Sequence, residues 1–183
     1  MKIYFTGGQG SGKTAQLDFF IQNHPEFHVV KFHRRELFEQ GVIRLNQEAS
    51  PMDEAIILGD FMLALATTPS PFISERSFID KCAYAQALKY PPELLDAYHI
   101  MNTYIFPGIS QEDNYFYFPP VLPLEDDGVR STDKEYLKEV DTYIRFYLDY
   151  FNIDYHNLES KSLLDRHIEI CETLNIPWSK VEH

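Results

Sequence analysis

Lys2 to Thr14 reads K-I-Y-F-T-G-G-Q-G-S-G-K-T, and the fold turns on this stretch. From Gly7 onward it fits G-x-x-x-x-G-K-S/T, with Gly12 and Lys13 in the fixed places and Thr14 closing the pattern. Lys2 to Thr6 is apolar, β-branched and aromatic enough for a strand, and Ala15, Leu17, Phe19, Phe20 and Ile21 favour a helix. Strand, glycine turn and helix is the order in which backbone N–H groups can wrap a phosphate chain. Such wrapping needs positive φ, which Gly7, Gly8, Gly10 and Gly12 are expected to supply, with Gln9 and Ser11 completing the loop. Lys13 is then expected along the β- and γ-phosphates of ATP, and the Thr14 hydroxyl on Mg²⁺.

Outward from this loop, Asn23-His24-Pro25 is a stop, Phe27 to Phe32 reads as a second strand, and Glu36 to Gln40 as a short helix. Ligands of open parallel sheets lie beyond the carboxyl ends of the strands, so Arg34 and Arg35 stand where an anionic substrate would arrive. A solvated helix start explains the pair equally well. Within Asn46 to Thr68, Ala55, Ile56, Leu58, Phe61, Met62 and Leu65 are spaced for one buried helical face, opened by Ser50-Pro51 with early acids.

Phe72 to Ser74 reads as a third strand that ends on Glu75 and Arg76, with Asp80 and Tyr84 on successive turns of the helix beyond. A carboxylate there can take a proton from a substrate hydroxyl or organise Mg²⁺, and an arginine beside it can neutralise a phosphoryl group in transfer. Taken alone, the pair reads as a surface ion pair capping a helix. Further on come a helix over 93–104, a fourth strand over Asn114 to Val121, a polar segment over 122–134 and a helix over Glu135 to Tyr150. A fifth strand over Ile153 to Leu158 and an amphipathic helix over Ser162 to Leu174 complete the chain.

The order of these elements predicts a three-layer α/β domain on a parallel sheet of about five strands, with residues 1–183 forming one domain. The chain has 183 residues, is 44% hydrophobic and contains no apolar run of membrane-spanning length, so no membrane association is expected. Met1-Lys2-Ile3 leads straight into the first strand, so no leader is expected before it. Two cysteines without metal spacing point to a reduced, cytoplasmic setting. Seven histidines without H-x-x-x-H or a Cys/His cluster read as scattered or satisfied. A net charge of −12 argues against an extended nucleic acid as the main partner without excluding it. A P-loop still binds ATP in such a chain, because it works through backbone dipoles, one lysine and a metal ion.

The segment S-E-R-S-F-I-D-K-C-A-Y-A-Q (residues 74–86) resembles the acid-arginine signature of thymidylate and deoxynucleoside kinases. It is more similar to the D/E-R-G-x-x-D-x-x-A-Y pattern of the AAA_28 group, which includes kinase domains related to ribosylnicotinamide kinase. Glu75, Arg76, Asp80, Ala83 and Tyr84 match, and Ser77 stands where that group commonly has glycine. The run E-D-D-G-V-R resembles the lid segment of the same relatives, which implies that Arg130 closes on the phosphates while Asp126, Asp127 and Gly128 shape the loop.

The resemblance implies a P-loop nucleoside or nucleotide kinase-like fold with a lid. It implies Mg²⁺-dependent transfer of the ATP γ-phosphoryl to a nucleoside- or nucleotide-like acceptor. Lys13 and Arg130 would stabilise the transferring charge, Thr14 and Glu75 would serve the metal, and Glu75 could instead act as base. Arg34, Arg35, Arg76 and Asp80 are the residues expected toward the acceptor. Two other readings stay open: a kinase acting on a hydroxymethylated base in DNA, and a non-catalytic nucleotide-dependent switch. A homodimer is compatible with either.

Overall fold

The computed structural model describes residues 1–92, 95–96, 113–120, 133–160 and 162–178. The elements run β1 (Lys2–Thr6), α1 (Lys13–Asn23), β2 (His28–Val29), α2 (Arg34–Glu39), α3 (Pro51–Thr67), β3 (Phe72–Ser74), α4 (Phe78–Ala87), β4 (Asp113–Tyr117), α5 (Lys134–Tyr150), β5 (Tyr155–Asn157) and α6 (Leu163–Leu174). A 3₁₀ turn, Asn46–Glu48, precedes α3. The five strands form one sheet in the order β2-β3-β1-β4-β5, and every pairing is parallel.

Side chains of successive strand residues point to opposite faces, and that alternation divides the core. Ile3, Phe5, Ile73 and Phe116 face one side, where Leu17 and Phe20 of α1 and Ile170 and Leu174 of α6 cover them. Tyr4, Phe72, Tyr115 and Tyr117 face the other side, under α3, α4 and α5. This is the three-layer α/β architecture that the order of elements predicts. Tyr117 fastens β4 to α5 by donating to Asp141 Oδ1 at 2.6 Å.

The second strand is shorter than the apolar run Phe27 to Phe32 predicts. It lies at the edge, its sole neighbour β3 has three residues, and a ladder cannot outrun its partner. Beyond it α2 begins at Arg34, two residues earlier than expected, so Arg34 and Arg35 form its first turn. The expected helix over 93–104 and the segment 122–132, including Asp126, Asp127, Gly128 and Arg130, lie outside the described residues apart from 95–96. Among the described residues no helix is long and apolar enough to cross a membrane.

The expectation of scattered histidines fails in one place. His24, which caps the end of α1, meets His167 and Cys171 of α6, and all three are buried. Only His167 and Cys171, one helical turn apart, were neighbours in the sequence. His24 joins them because α1 and α6 pack side by side on the same face of the sheet.

Candidate functional site

The loop Gly7 to Thr14 lies at the carboxyl end of the central strand β1. Gly10 and Gly12 take positive φ of 73° and 87°, and Gly7 has φ 150°. A Cβ on Gly7 would stand 2.5 Å from the Phe118 carbonyl oxygen, so this position excludes every side chain. Gly8 differs from expectation: it is not among the positive-φ glycines, and a Cβ there would meet nothing within 4 Å. Helix α1 opens at Gly12 with no side-chain cap and no acid in its first turn. Its leading amides and positive dipole end are thereby left to an anion.

Lys13 Nζ folds back over the loop and donates to Gly7 O at 2.7 Å, Gly8 O at 2.6 Å and Ser11 Oγ at 2.9 Å. Ser11 Oγ in turn donates to Gly8 O at 2.9 Å. Gln9 ties the loop to the 3₁₀ turn through Asn46 Oδ1 at 2.7 Å. From the far side Arg166 Nη1 donates to Ser11 O at 3.2 Å, its guanidinium resting over the Phe118 ring.

Asp80 is the mount beneath this loop. Its carboxylate accepts from Gly7 N (3.1 Å), Thr6 Oγ1 (2.9 Å), Ser77 N (2.8 Å) and Arg76 Nη1 (3.4 Å), and it is buried. Ser77 and Asp80 form a reciprocal capping box at the start of α4. The expectation that Asp80 faces an acceptor therefore gives way to a different placement: its oxygens are spent on joining β1, the loop and α4. The pattern Ser77-Phe78-Ile79-Asp80 carries that signal in the sequence. Ser77 has an ordinary φ of −126° and uses its hydroxyl as the cap.

A cleft of about 820 Å³ brings together Lys13, Thr14, Arg34, Arg35, Glu75 and Arg76. This is within the usual size range for small-molecule sites. Five cationic side chains (Lys13, Lys31, Arg34, Arg35, Arg76) line it against two carboxylates (Glu36, Glu75), the reverse of the charge balance of the whole chain. Burial and the nearby Arg76 push the Arg34 guanidinium below the usual arginine range. Burial also opposes charge on Arg76, but Tyr84, Asp80 and Glu75 outweigh it and raise that group. Arg76 Nη1 donates to Gly7 O at 3.2 Å, and its Cζ lies 5.6 Å from the Tyr84 ring centre. Two arginines that repel one another across a cleft are poised for an anion.

Behind them lies a small chamber of about 20 Å³, room for roughly one water, lined by Arg34, Glu54, Arg76, Asp80, Lys81 and Tyr84. Glu54 and Lys81 are buried and went unnoticed in the sequence, where Glu54 reads as a helix-start acid and Lys81 as one polar residue in a helix. Burial drags the Lys81 amine down to about 7, with Arg34 and Arg76 adding to the shift and Glu54 and Asp80 opposing it. The rings of Phe32 and Phe61, 5.4 and 5.6 Å from Nζ, flank it.

A family model described as an AAA domain, AAA_28, matches residues 2–166. The chain belongs to the AAA_28 family. Among solved structures, this AAA_28 chain superposes on the NadR protein in complex with NR with a TM-score of 0.75 at 16% identity, covering 100% of this chain and 54% of NadR. It thus spans about half the length of NadR. Deoxyadenosine kinase from M. mycoides with bound dATP gives 0.65 at 15% identity, with 96% and 100% of the two chains covered. Thymidylate kinase from Ehrlichia chaffeensis gives 0.61 at 16%, with 95% and 98% covered. No curated protein matches the sequence. At these identities the solved structures speak for the fold alone, and the fold of the AAA_28 chain is similar to that of these nucleoside and nucleotide kinases.

Proposed function

We propose that this chain is a kinase that moves the γ-phosphoryl of ATP to a hydroxyl or phosphate of a nucleoside- or nucleotide-like small molecule. The observation that carries the reading is the single cleft in which the uncapped start of α1, Lys13 and Thr14 face Glu75, Arg34 and Arg76. A P-loop alone serves motors and switches as well. An acid and two arginines opposite it form the other half of a phosphoryl-transfer site.

The loop glycines and the α1 amides suit the ATP phosphates. Lys13 would exchange its contacts with the Gly7 and Gly8 carbonyls for phosphate oxygens, following the charge as it moves. Thr14 and Glu75 give the oxygen donors that Mg²⁺ takes, and the ion would supply neutralisation of phosphate charge. Glu75 holds the metal or receives the proton of an acceptor hydroxyl. Arg34 and Arg76 hold the acceptor or the phosphate, with Arg35 at the rim. Arg130, on a lid over 122–134, would close on the phosphates and exclude water. We place the protein in the cytoplasm and read residues 1–183 as one domain.

ATP consumption measured across deoxynucleosides, their monophosphates, nicotinamide riboside and modified DNA tests the reading. Turnover with one small-molecule class is expected, and Lys13→Ala or Glu75→Gln should lower kcat by about 10²-fold or more while the fold survives. Nucleotide binding without turnover of any acceptor overturns the kinase reading in favour of a switch. Turnover of modified DNA alone overturns the small-molecule acceptor.

A further inference from the structure

At the opposite end of α1 from the phosphate-binding loop, two imidazoles and a thiol converge. Cys171 Sγ lies 3.4 Å from His24 Nε2 and 3.6 Å from His167 Nε2, and the three potential ligand atoms all fall within 4.8 Å of one another. Tetrahedral zinc with bonds of about 2.3 Å to sulfur and about 2.0 Å to nitrogen has sulfur-to-nitrogen edges of roughly 3.5 Å. The two observed separations are edges of that tetrahedron. Glu26 Oε1 stands 3.3 Å from His24 Nδ1, so with the proton on Nδ1 the ring turns its Nε2 lone pair toward the sulfur. A carboxylate behind a histidine is the usual outer partner of a metal ligand. Phe19 and Phe20 pack against the imidazoles at ring-centre distances of 5.2 Å to His167 and 4.7 Å to His24 and keep bulk water from the cluster. Pro25 and Glu26, exposed on the turn, give a route in.

We propose that His24, His167 and Cys171 form a zinc site that clamps the end of α1 to α6. The donor set of two imidazoles and one thiolate is that of a borderline ion and excludes Mg²⁺, which takes oxygen. Binding forms a zinc–sulfur bond and breaks the S–H bond, releasing one proton to solvent per ion. Three protein ligands leave the fourth position to water. The site is independent of the phosphate site: 11 helical residues separate His24 from Gly12, roughly 18 Å along the axis. A mechanical link exists all the same, since Arg166, next in chain to His167, holds the Ser11 carbonyl.

The test uses the full chain, tag-free and stripped by chelator, titrated with Co²⁺ as the spectroscopic probe and then with Zn²⁺ in competition. One Co²⁺ per chain should bind with a thiolate-to-cobalt charge-transfer band and intense tetrahedral d–d absorption, and Zn²⁺ should displace it. Cys171→Ser should abolish the charge-transfer band and weaken Zn²⁺ binding by more than about 100-fold. The exposed Glu26→Gln change, which leaves the core untouched, should keep the band and weaken binding about 10-fold. Absence of the band in the folded parent chain overturns the proposal, as does a band that survives Cys171→Ser and so belongs to Cys82. Unchanged Zn²⁺ affinity in Glu26→Gln overturns it too.

Discussion

The starts of α1 and α4 use the same helical amides in opposite ways. At α4, Ser77 and Asp80 satisfy one another's backbone groups in a capping box, and α3 repeats the device with Ser50 and Asp53. At α1, Gly12 caps nothing, and the first turn opens into the cationic cleft. A capped start is closed by its own chain and contributes stability, about 1 kcal/mol for each cap. An uncapped one holds donors in reserve and needs support from elsewhere. Here the support is the capped start itself: Asp80, the N3 residue of α4, grips Gly7 N and Thr6 beneath the loop.

If that division is right, the largest effect comes from cutting the link between the two starts. Asp80→Ala leaves the buried Gly7 and Ser77 amides without acceptors, each worth about 1–3 kcal/mol. Denaturant unfolding should show a loss on the order of 4 kcal/mol, with nucleotide affinity falling in the folded fraction. A loss confined to stability, with affinity intact, would separate the mount from the loop.

Next in size is a contrast inside the loop. Gly7→Ala drives a Cβ into the Phe118 carbonyl and should cost on the order of 3 kcal/mol, whereas Gly8→Ala meets open space and should leave the melting temperature within about 2 °C of the parent. Equal effects would mean that the loop is shaped by something other than the approach of β1 to the end of β4.

How much of this was legible in the sequence differs by region for physical reasons. The loop, the Ser50-Pro51 start and the Glu75-Arg76 junction are local patterns, and local patterns survive without knowledge of packing. The pattern Ser77-x-x-Asp80 was equally local, but Asp80 was read toward a ligand because two of the groups that donate to it, the Thr6 hydroxyl and the Gly7 amide, are more than seventy residues away. The same holds for His24 beside Cys171, which only the packing of α1 on α6 reveals. Lys81 shows another limit: nothing in D-K-C-A-Y says that its amine is enclosed by Glu54 and two phenylalanine rings on other elements.

That enclosure gives the third test, of the capped helix against its own buried charge. The Lys81 amine titrates near 7 in the folded chain and at the ordinary lysine value of 10.5 when unfolded. Between those values the unfolded chain holds the extra proton, so folding gains stability as pH rises from about 7, while below 7 the full cost of burying the charge is present. Relative to Lys81→Met, the parent should gain on the order of 3 kcal/mol between pH 7 and pH 9.5, read from melting curves of both proteins. A pH-independent difference would mean that the amine reaches solvent.

The smallest expected effect probes a capped start joined to the loop only indirectly, through the turn that precedes it. Ser50 Oγ donates to Asp53 Oδ2 at 2.6 Å and accepts from Asp53 N at 3.3 Å, yet Asp53 is also held by Ser50 N at 2.7 Å and by Arg44 at 3.0 Å. Ser50→Ala removes one arm of the box and leaves the carboxylate anchored, so the cost should be about 1 kcal/mol or less, a fall in melting temperature of about 2–4 °C. Nucleotide affinity, measured by titration at the same temperature, should not move. If it falls along with stability, α3 is coupled to the cleft after all. The route would then be the Asn46–Gln9 hydrogen bond that joins the turn before α3 to the loop.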